Sequence, residues 1–273
     1  MKSNISLCVI GGYDPLARAY FKYLKKEYKS TCFINLLNNN FTEKGLYNFK
    51  IYQLKKILDL LKYKKVNEII FLGKITRPNL TEFIKDGIIE NYIPLLLSAY
   101  KSGDGAVLDT VINIFKEQNY KIVSPLKYSN EFTLIEDHIN VNYDSEDDID
   151  IKKSSDLLNE LSKYDNAQSV VSINGYIIAI EAAEGTDALL RRVRSVRKDL
   201  GQLGNKSGFF TKKPKKNQSK LIDLPVVGPT TIKLIKRANL KGLAIDFSNT
   251  MIYKKKEVLK LINEFNLTIC NVN

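Results

Sequence analysis

The spacing of apolar residues changes period in a regular way along the chain. Ile5-Ser-Leu-Cys-Val-Ile10 is a short apolar run that stops at Gly11-Gly12. After Asp14-Pro15 the residues Leu16, Ala19, Tyr20, Tyr23 and Leu24 recur at helical spacing, so the segment predicts strand, turn and helix. The alternation continues. Thr31 to Leu36 is a second apolar run, Leu54, Ile57, Leu58 and Leu61 form a helical stripe, and Glu68-Ile-Ile-Phe-Leu72 leads into Gly73-Lys74. Helical segments follow Leu80, and Ser102-Gly-Asp-Gly105 opens a helix with Val107, Val111, Ile114 and Phe115 on one face, ahead of Lys121-Ile-Val123. Short apolar strands separated by amphipathic helices predict an α/β domain, a Rossmann-like parallel sheet covered by helices.

From Tyr128 to Asp150 the periodicity dissolves, and Asp144, Glu146, Asp147, Asp148 and Asp150 make an acidic run, either a solvated linker or the charged first turn of the next helix. The expected organisation is a first domain over 1–135, a linker over 136–150 and a second, mixed α/β domain over 151–273. A helix through Leu157, Leu158 and Leu161 comes first. Asn174-Gly175 then separates two apolar runs, 168–173 and 176–180, a strong hairpin signal because both turn positions need positive φ. Glu181-Ala-Ala-Glu-Gly-Thr-Asp187 feeds a helix with Leu189, Val193, Val196 and Leu200 on its apolar face, Thr186 placed to cap it and Gly201 to end it. A strand near Phe209-Phe210, a lysine-rich loop from Lys212 to Lys220 and the stretch Asp223-Leu-Pro-Val-Val-Gly-Pro229 follow. Beyond these come a helix from Thr230, a strand at 243–247, a turn at Asn249, a short strand, a helix and a last strand at 267–272.

The chain has 273 residues, enough for two domains, and its 42 basic against 30 acidic residues give a net charge of +12. All but seven of the basic residues are lysines, and Asn and Ile are also abundant, the signature of an AT-rich genome. The charge is therefore discounted to a general preference for anionic company. Cys8, Cys32 and Cys270 lie inside apolar runs and read as buried thiols of a reducing, cytoplasmic compartment. With His138 as the single histidine and no CxxC pair, no usual zinc set exists, and a metal here should be a hard, oxygen-liganded cation such as Mg²⁺. The N-terminal apolar run is far shorter than the roughly 18 residues of a membrane span and unlike a signal peptide.

Several places carry candidate chemistry. Gly11-Gly12 after the first strand is either a tight turn or a loop whose amides face a phosphate. There is no GxGxxG, and no acidic residue ends the second strand to hold a ribose, which disfavours a nicotinamide cofactor. Gly103 and Gly105 let the backbone approach a ligand, while Asp104 either caps its helix or touches a metal-phosphate. Lys74 and Arg77 lie at a strand's carboxyl end, as surface cations or as neutralisers of a diphosphate. Asp187 and Arg191, four apart, form an ordinary helix pair or part of a site. Asp223 is a carboxylate held ahead of the rigid Pro225 and Gly228-Pro229. Hard-cation ligands, phosphate-friendly loops and cations, with no catalytic His or obvious nucleophilic Cys, suit metal-assisted attack of water on a phosphoryl group.

The ordered set Gly11-Gly12, Gly73-Lys74 with Arg77-Pro78, Ser102-Gly-Asp-Gly-Ala106, Ala179-Ile-Glu-Ala-Ala-Glu-Gly-Thr-Asp-Ala188 with Arg192, and Asp223-Leu-Pro with Gly228-Pro229 resembles the LpxI type of UDP-2,3-diacylglucosamine pyrophosphatase over nearly the whole chain. The resemblance implies a Mg²⁺-dependent cytoplasmic enzyme of lipid A biosynthesis in a Gram-negative bacterium. It would cleave UDP-2,3-diacylglucosamine to UMP and 2,3-diacylglucosamine 1-phosphate (lipid X) by attack of water on the α-phosphorus, with the substrate between two domains. It makes Asp223 the catalytic residue and, with Asp187, a metal ligand. Gly185, Thr186, Asp187 and Arg192 would hold the diphosphate, and Gly11, Gly12, Lys74, Gly103 and Asp104 the UDP side. Such an enzyme leaves room for a homodimer and for peripheral contact with the inner-membrane surface, where the basic stretch from Lys212 to Lys220 would meet anionic lipid unless it is simply a solvated loop. The competing expectations are another nucleotide-sugar enzyme, transferase or oxidoreductase, and a basic nucleic-acid-binding protein. For the last, no recognisable reading module is present, so no nucleic-acid partner is expected.

Overall fold

The computed structural model describes residues 2–37, 39–74, 92–102, 104–135, 144–164, 166–215, 221 and 224–272. The chain divides into two compact units: residues 1–128 with 221–223, and residues 129–220 with 224–273.

The first unit runs β1 (Lys2–Gly11), α1 (Pro15–Glu27), β2 (Tyr28–Asn35), β3 (Leu46–Asn48), α2 (Leu54–Tyr63), β4 (Glu68–Phe71), α3 (Ile93–Ser102), α4 (Asp104–Glu117) and β5 (Lys121–Ile122). Its strands are all parallel, in the order β3-β2-β1-β4-β5. The expected helix-covered parallel sheet is therefore present. Strands sandwiched between two helix layers must be apolar on both faces, which is why 7–10 and 69–71 are buried without alternation. Cys8, Ile10, Ile34 and Ile69 meet Ile57 and Leu61 of α2 and Ile112 and Phe115 of α4. On the opposite side Phe33 meets Phe21 of α1 edge-on, ring centroids 5.5 Å apart. Three-residue β3 left no periodicity to detect. The strand order reverses between β1 and β4, and in an open α/β sheet the crevice at the carboxyl ends of those two strands is where ligands bind.

The second unit contains α5 (Ser145–Leu161), β6 (Ser169–Ile173), β7 (Tyr176–Ile180), α6 (Thr186–Asp199), β8 (Phe209–Lys212), β9 (Val226–Val227), α7 (Pro229–Arg237), β10 (Gly242–Ile245), β11 (Met251–Ile252), α8 (Lys255–Glu264) and β12 (Thr268–Asn271). The main sheet has the order β12-β10-β8-β6-β7, with β12, β10 and β8 parallel and β6 and β7 antiparallel. Period-two alternation sorts its side chains. Val171, Phe210, Leu243, Ile245 and Ile269 face one core with Leu189 and Val193 of α6, Ile232 of α7 and Val258 of α8. Phe209, Ala244 and Cys270 face Ile151 of α5, where Val170 also meets Leu158.

Asn174 and Gly175 have φ of 51° and 77°, the turn their sequence called for. The acidic run belongs to a helix and not to a linker: Asp144 caps α5 and, with Asp147, closes a capping box. Residues 145–150 of the expected linker are thus the start of α5, and 136–143 lie outside the described residues. Asp150 is buried and accepts from Ser172 Oγ at 2.6 Å, Asn174 N at 2.9 Å and Gly175 N at 2.7 Å, fastening α5 to the hairpin. Arg197 is the largest fully buried side chain, and its guanidinium donates to the carbonyls of Gln202, Asn205, Ser207, Ala238 and Asn239. It gathers the ends of α6 and α7. Among the described residues no helix is long and apolar enough to cross a membrane.

Candidate functional site

At the carboxyl edge of the first sheet two loops interlock. A Cβ on Gly12 would strike the main chain of Lys74, with Lys74 C at 3.0 Å, and one on Gly11 would come within 2.8 Å of Leu72 C. Gly73, with φ of 99°, packs back on Gly12. Asp14 locks the pair: Oδ1 accepts from Ala17 N at 2.9 Å, capping α1, while Oδ2 accepts from Lys74 N at 2.9 Å. Buried Asn35 adds a third tie, its Oδ1 accepting from Tyr13 N at 3.1 Å and Leu37 N at 3.2 Å. The first-turn position of α1 where a phosphate would sit is thus taken by the Asp14 carboxylate. Gly11 and Gly12 let the two loops pack closely, and Lys74 presents an exposed side chain at the same edge.

The second unit offers the opposite arrangement. Helix α6 begins with Gly185 as its N-cap, φ 79°, and no side chain caps it; open space surrounds the position of a Gly185 Cβ. Thr186 is therefore the first helical residue and not the cap. No side chain caps the first turn, and helix N-termini of this kind can receive an anion. Directly beside that turn is a buried polar cluster that composition and motif reading missed. Lys212 Nζ donates to Thr186 Oγ1 at 2.7 Å and Ser169 Oγ at 3.2 Å, and stands 3.6 Å from Glu181 Oε2. Glu181 also accepts from Thr186 Oγ1 at 2.9 Å and from Ser169 Oγ. Lys212 is 4% exposed. Around the cluster, Arg192 clips the 181–185 loop, donating to Ile180 O at 2.9 Å and Glu184 Oε1 at 2.6 Å. That hydrogen bond holds the Glu184 carboxyl below its usual range.

Two family models match the chain: the LpxI N-terminal domain over residues 6–132 and the LpxI C-terminal domain over residues 138–270. The chain belongs to the LpxI family. A curated relative from Caulobacter vibrioides (strain ATCC 19089 / CIP 103742 / CB 15), named UDP-2,3-diacylglucosamine pyrophosphatase LpxI, is 28% identical over 225 residues, covering 82% of this chain and 80% of the relative.

In this LpxI-family chain the expected site residues fall into three groups. Gly185, Thr186, Asp187 and Arg192 are brought together at the start of α6. Gly11, Gly12 and Lys74 meet at the carboxyl edge of the first sheet, and Asp104 begins α4. Gly103, Arg77, Pro78, His138 and Asp223 lie outside the described residues. The lysine-rich loop needs a correction: Lys212 ends β8, and Lys212 and Lys213 are buried, so neither is available to a lipid surface. Lys212 was legible in principle. Two residues beyond Phe210 on one strand, it must face the same side, toward α6.

Among the described residues no group of three His, Cys, Asp or Glu is placed to hold a metal alone. Mg²⁺ asks for less, since one or two carboxylates with substrate phosphate oxygens and water complete its shell. Asp187, half-buried at the second position of α6, is a carboxylate of that kind.

Proposed function

We propose that this protein hydrolyses UDP-2,3-diacylglucosamine to UMP and 2,3-diacylglucosamine 1-phosphate in lipid A biosynthesis, as the name of its relative and its family membership suggest. The observation that carries the reading is the uncapped first turn of α6 with buried Lys212 beside it. A diphosphate is a dense anion, and fixed amides plus an ammonium in a water-poor site stabilise it and the charge that builds as the anhydride breaks. Thr186 is held by Lys212 and Glu181, so its hydroxyl has a fixed direction. Arg192 keeps the loop that carries Gly185 in shape.

Asp187 and Asp223 are the residues that would hold Mg²⁺, which supplies charge neutralisation to the phosphates when bound. Asp223 is also the candidate to orient the attacking water toward the α-phosphorus. Lys74 and the loops around it in the first unit are the candidate uridine side. A cytoplasmic location follows from the substrate's role, with its acyl chains drawing the protein to the inner-membrane surface.

Incubation with UDP-2,3-diacylglucosamine, with and without EDTA, tests the reaction and the metal together: UMP and lipid X should appear only without chelator. Asp223→Ala should abolish release, and isotopically labelled water should leave its oxygen on UMP. Label on lipid X would reverse the assigned phosphorus. Release that survives EDTA would remove the cation.

A further inference from the structure

The two faces of the second unit carry opposite charge. Helix α5, on one side of the main sheet, exposes four acidic residues, Glu146, Asp148, Asp156 and Glu160, and two basic ones, Lys152 and Lys153. Helices α6, α7 and α8, packed side by side on the other, expose nine basic residues and two acidic ones. Arg191, Arg194 and Lys198 follow one another along the exposed flank of α6, and Lys233, Lys236 and Arg237 are exposed on α7. Lys256 and Lys260 extend the surface on α8. The acids interrupt it at its margins: Asp187 and Asp199 at the ends of α6, Glu264 at the end of α8, and Glu257 paired with Lys233 at 3.7 Å and Lys254 at 3.3 Å. In a chain whose default cation is lysine, five of the seven arginines lie on α6 and α7, so codon usage does not account for this layer. Arg192 and Arg197 are committed to protein partners, and the other three point outward.

We propose that the outer surface of α6, α7 and α8 docks on an anionic phospholipid membrane. A unit with cations on one face and acids on the other orients itself in the field of a negatively charged plane. The three helices contain no aromatic residue, so the stacking platform of a single-strand nucleic-acid binder is missing. The choice of lipid rests on the substrate proposed above, whose two acyl chains reside in a bilayer. Docking by this flank keeps the first turn of α6, with Thr186 and Lys212, at the end of the docked helix.

The test is co-sedimentation of the full chain, without substrate, with vesicles of phosphatidylcholine alone or with added phosphatidylglycerol. The protein should pellet with the anionic vesicles only. The triple variant R194E/K198E/K236E should lose on the order of a hundredfold in partitioning. K152E, on the exposed opposite face, should bind like the parent protein. Circular dichroism of each variant checks its fold, and hydrolysis of substrate in neutral detergent micelles should be unchanged in the triple variant. Equal binding to both vesicle types, no binding, retention by a folded triple variant, or tighter binding to duplex DNA than to anionic vesicles at the same salt would overturn the proposal. Absence of UMP release by the parent protein in micelles would remove the substrate reading, whereas normal release without vesicle binding would remove the docking surface alone.

Discussion

Lys212 Nζ and Thr186 Oγ1 lie 2.7 Å apart, so the last residue of β8 is fastened to the first residue of α6. Removing the ammonium strands Glu181 in a buried cluster and takes a fixed positive charge from the proposed diphosphate site. Lys212→Met should cost about 3 kcal/mol of stability and lower turnover on the order of a hundredfold. Thr186→Val keeps the Lys212–Glu181 pair and should cost about 1 kcal/mol. Thermal unfolding and UMP release of the two variants measure both effects, and a folded Lys212→Met protein of normal turnover would reduce the lysine to a structural strut.

The interlocked loops of the first unit predict a hierarchy among glycines. Gly12→Ala drives a methyl into the main chain of Lys74, which cannot yield as a side chain would, and should destabilise by about 3 kcal/mol or more. Gly185→Ala meets open space, so only its φ of 79° is penalised, at roughly 1–3 kcal/mol. Denaturant unfolding of both variants should rank them in that order.

Arg197 has no carboxylate partner among its described contacts; carbonyl oxygens and Ser207 surround it, and burial pushes its pKa down. Arg197→Met should cost about 3 kcal/mol or more, because several buried carbonyls lose their donor at once. The loss should appear in unfolding midpoints. A variant as stable as the parent protein would mean that water replaces the guanidinium.

Glu68 gives a pH signature to the first unit. Burial raises its pKa, but hydrogen bonds from Lys127 at 2.7 Å and Tyr128, with Lys121 at 3.3 Å, outweigh it and hold the carboxyl below its ordinary 4.5. A depressed folded-state pKa means the stabilisation is complete above the unfolded value and is lost as pH falls through the folded one. The stability gap between the parent protein and Glu68→Gln should be constant near neutrality and close on acidification below about pH 4.5. A gap that widens on acidification would contradict the assigned direction.

Legibility in the sequence followed the length and locality of each signal. The parallel sheet was readable because runs such as 5–10 and 68–72 are buried on both faces, and the hairpin because Asn174-Gly175 states its own turn geometry. Asp150 misled. A carboxylate that is one of five clustered acids looks solvated, and its role as acceptor for Ser172, Asn174 and Gly175 depends on contacts more than twenty residues away. Lys212 misled in the same way, since a lysine beside other lysines reads as loop until Glu181 and Thr186 arrive from another strand and helix. Thr186 lies on the helix its pattern marks but one position inside it, because Gly185 takes the cap with a φ that threonine would resist.

Residues 221–223 belong to the first unit although the chain enters the second at residue 129. Leu221 packs against the apolar cluster of the first unit. During synthesis the ribosome therefore releases almost all of the first unit early and its last piece late, after most of the second unit has left the exit tunnel. A nascent chain arrested before Leu221 emerges therefore leaves one patch of the first unit's apolar cluster uncovered.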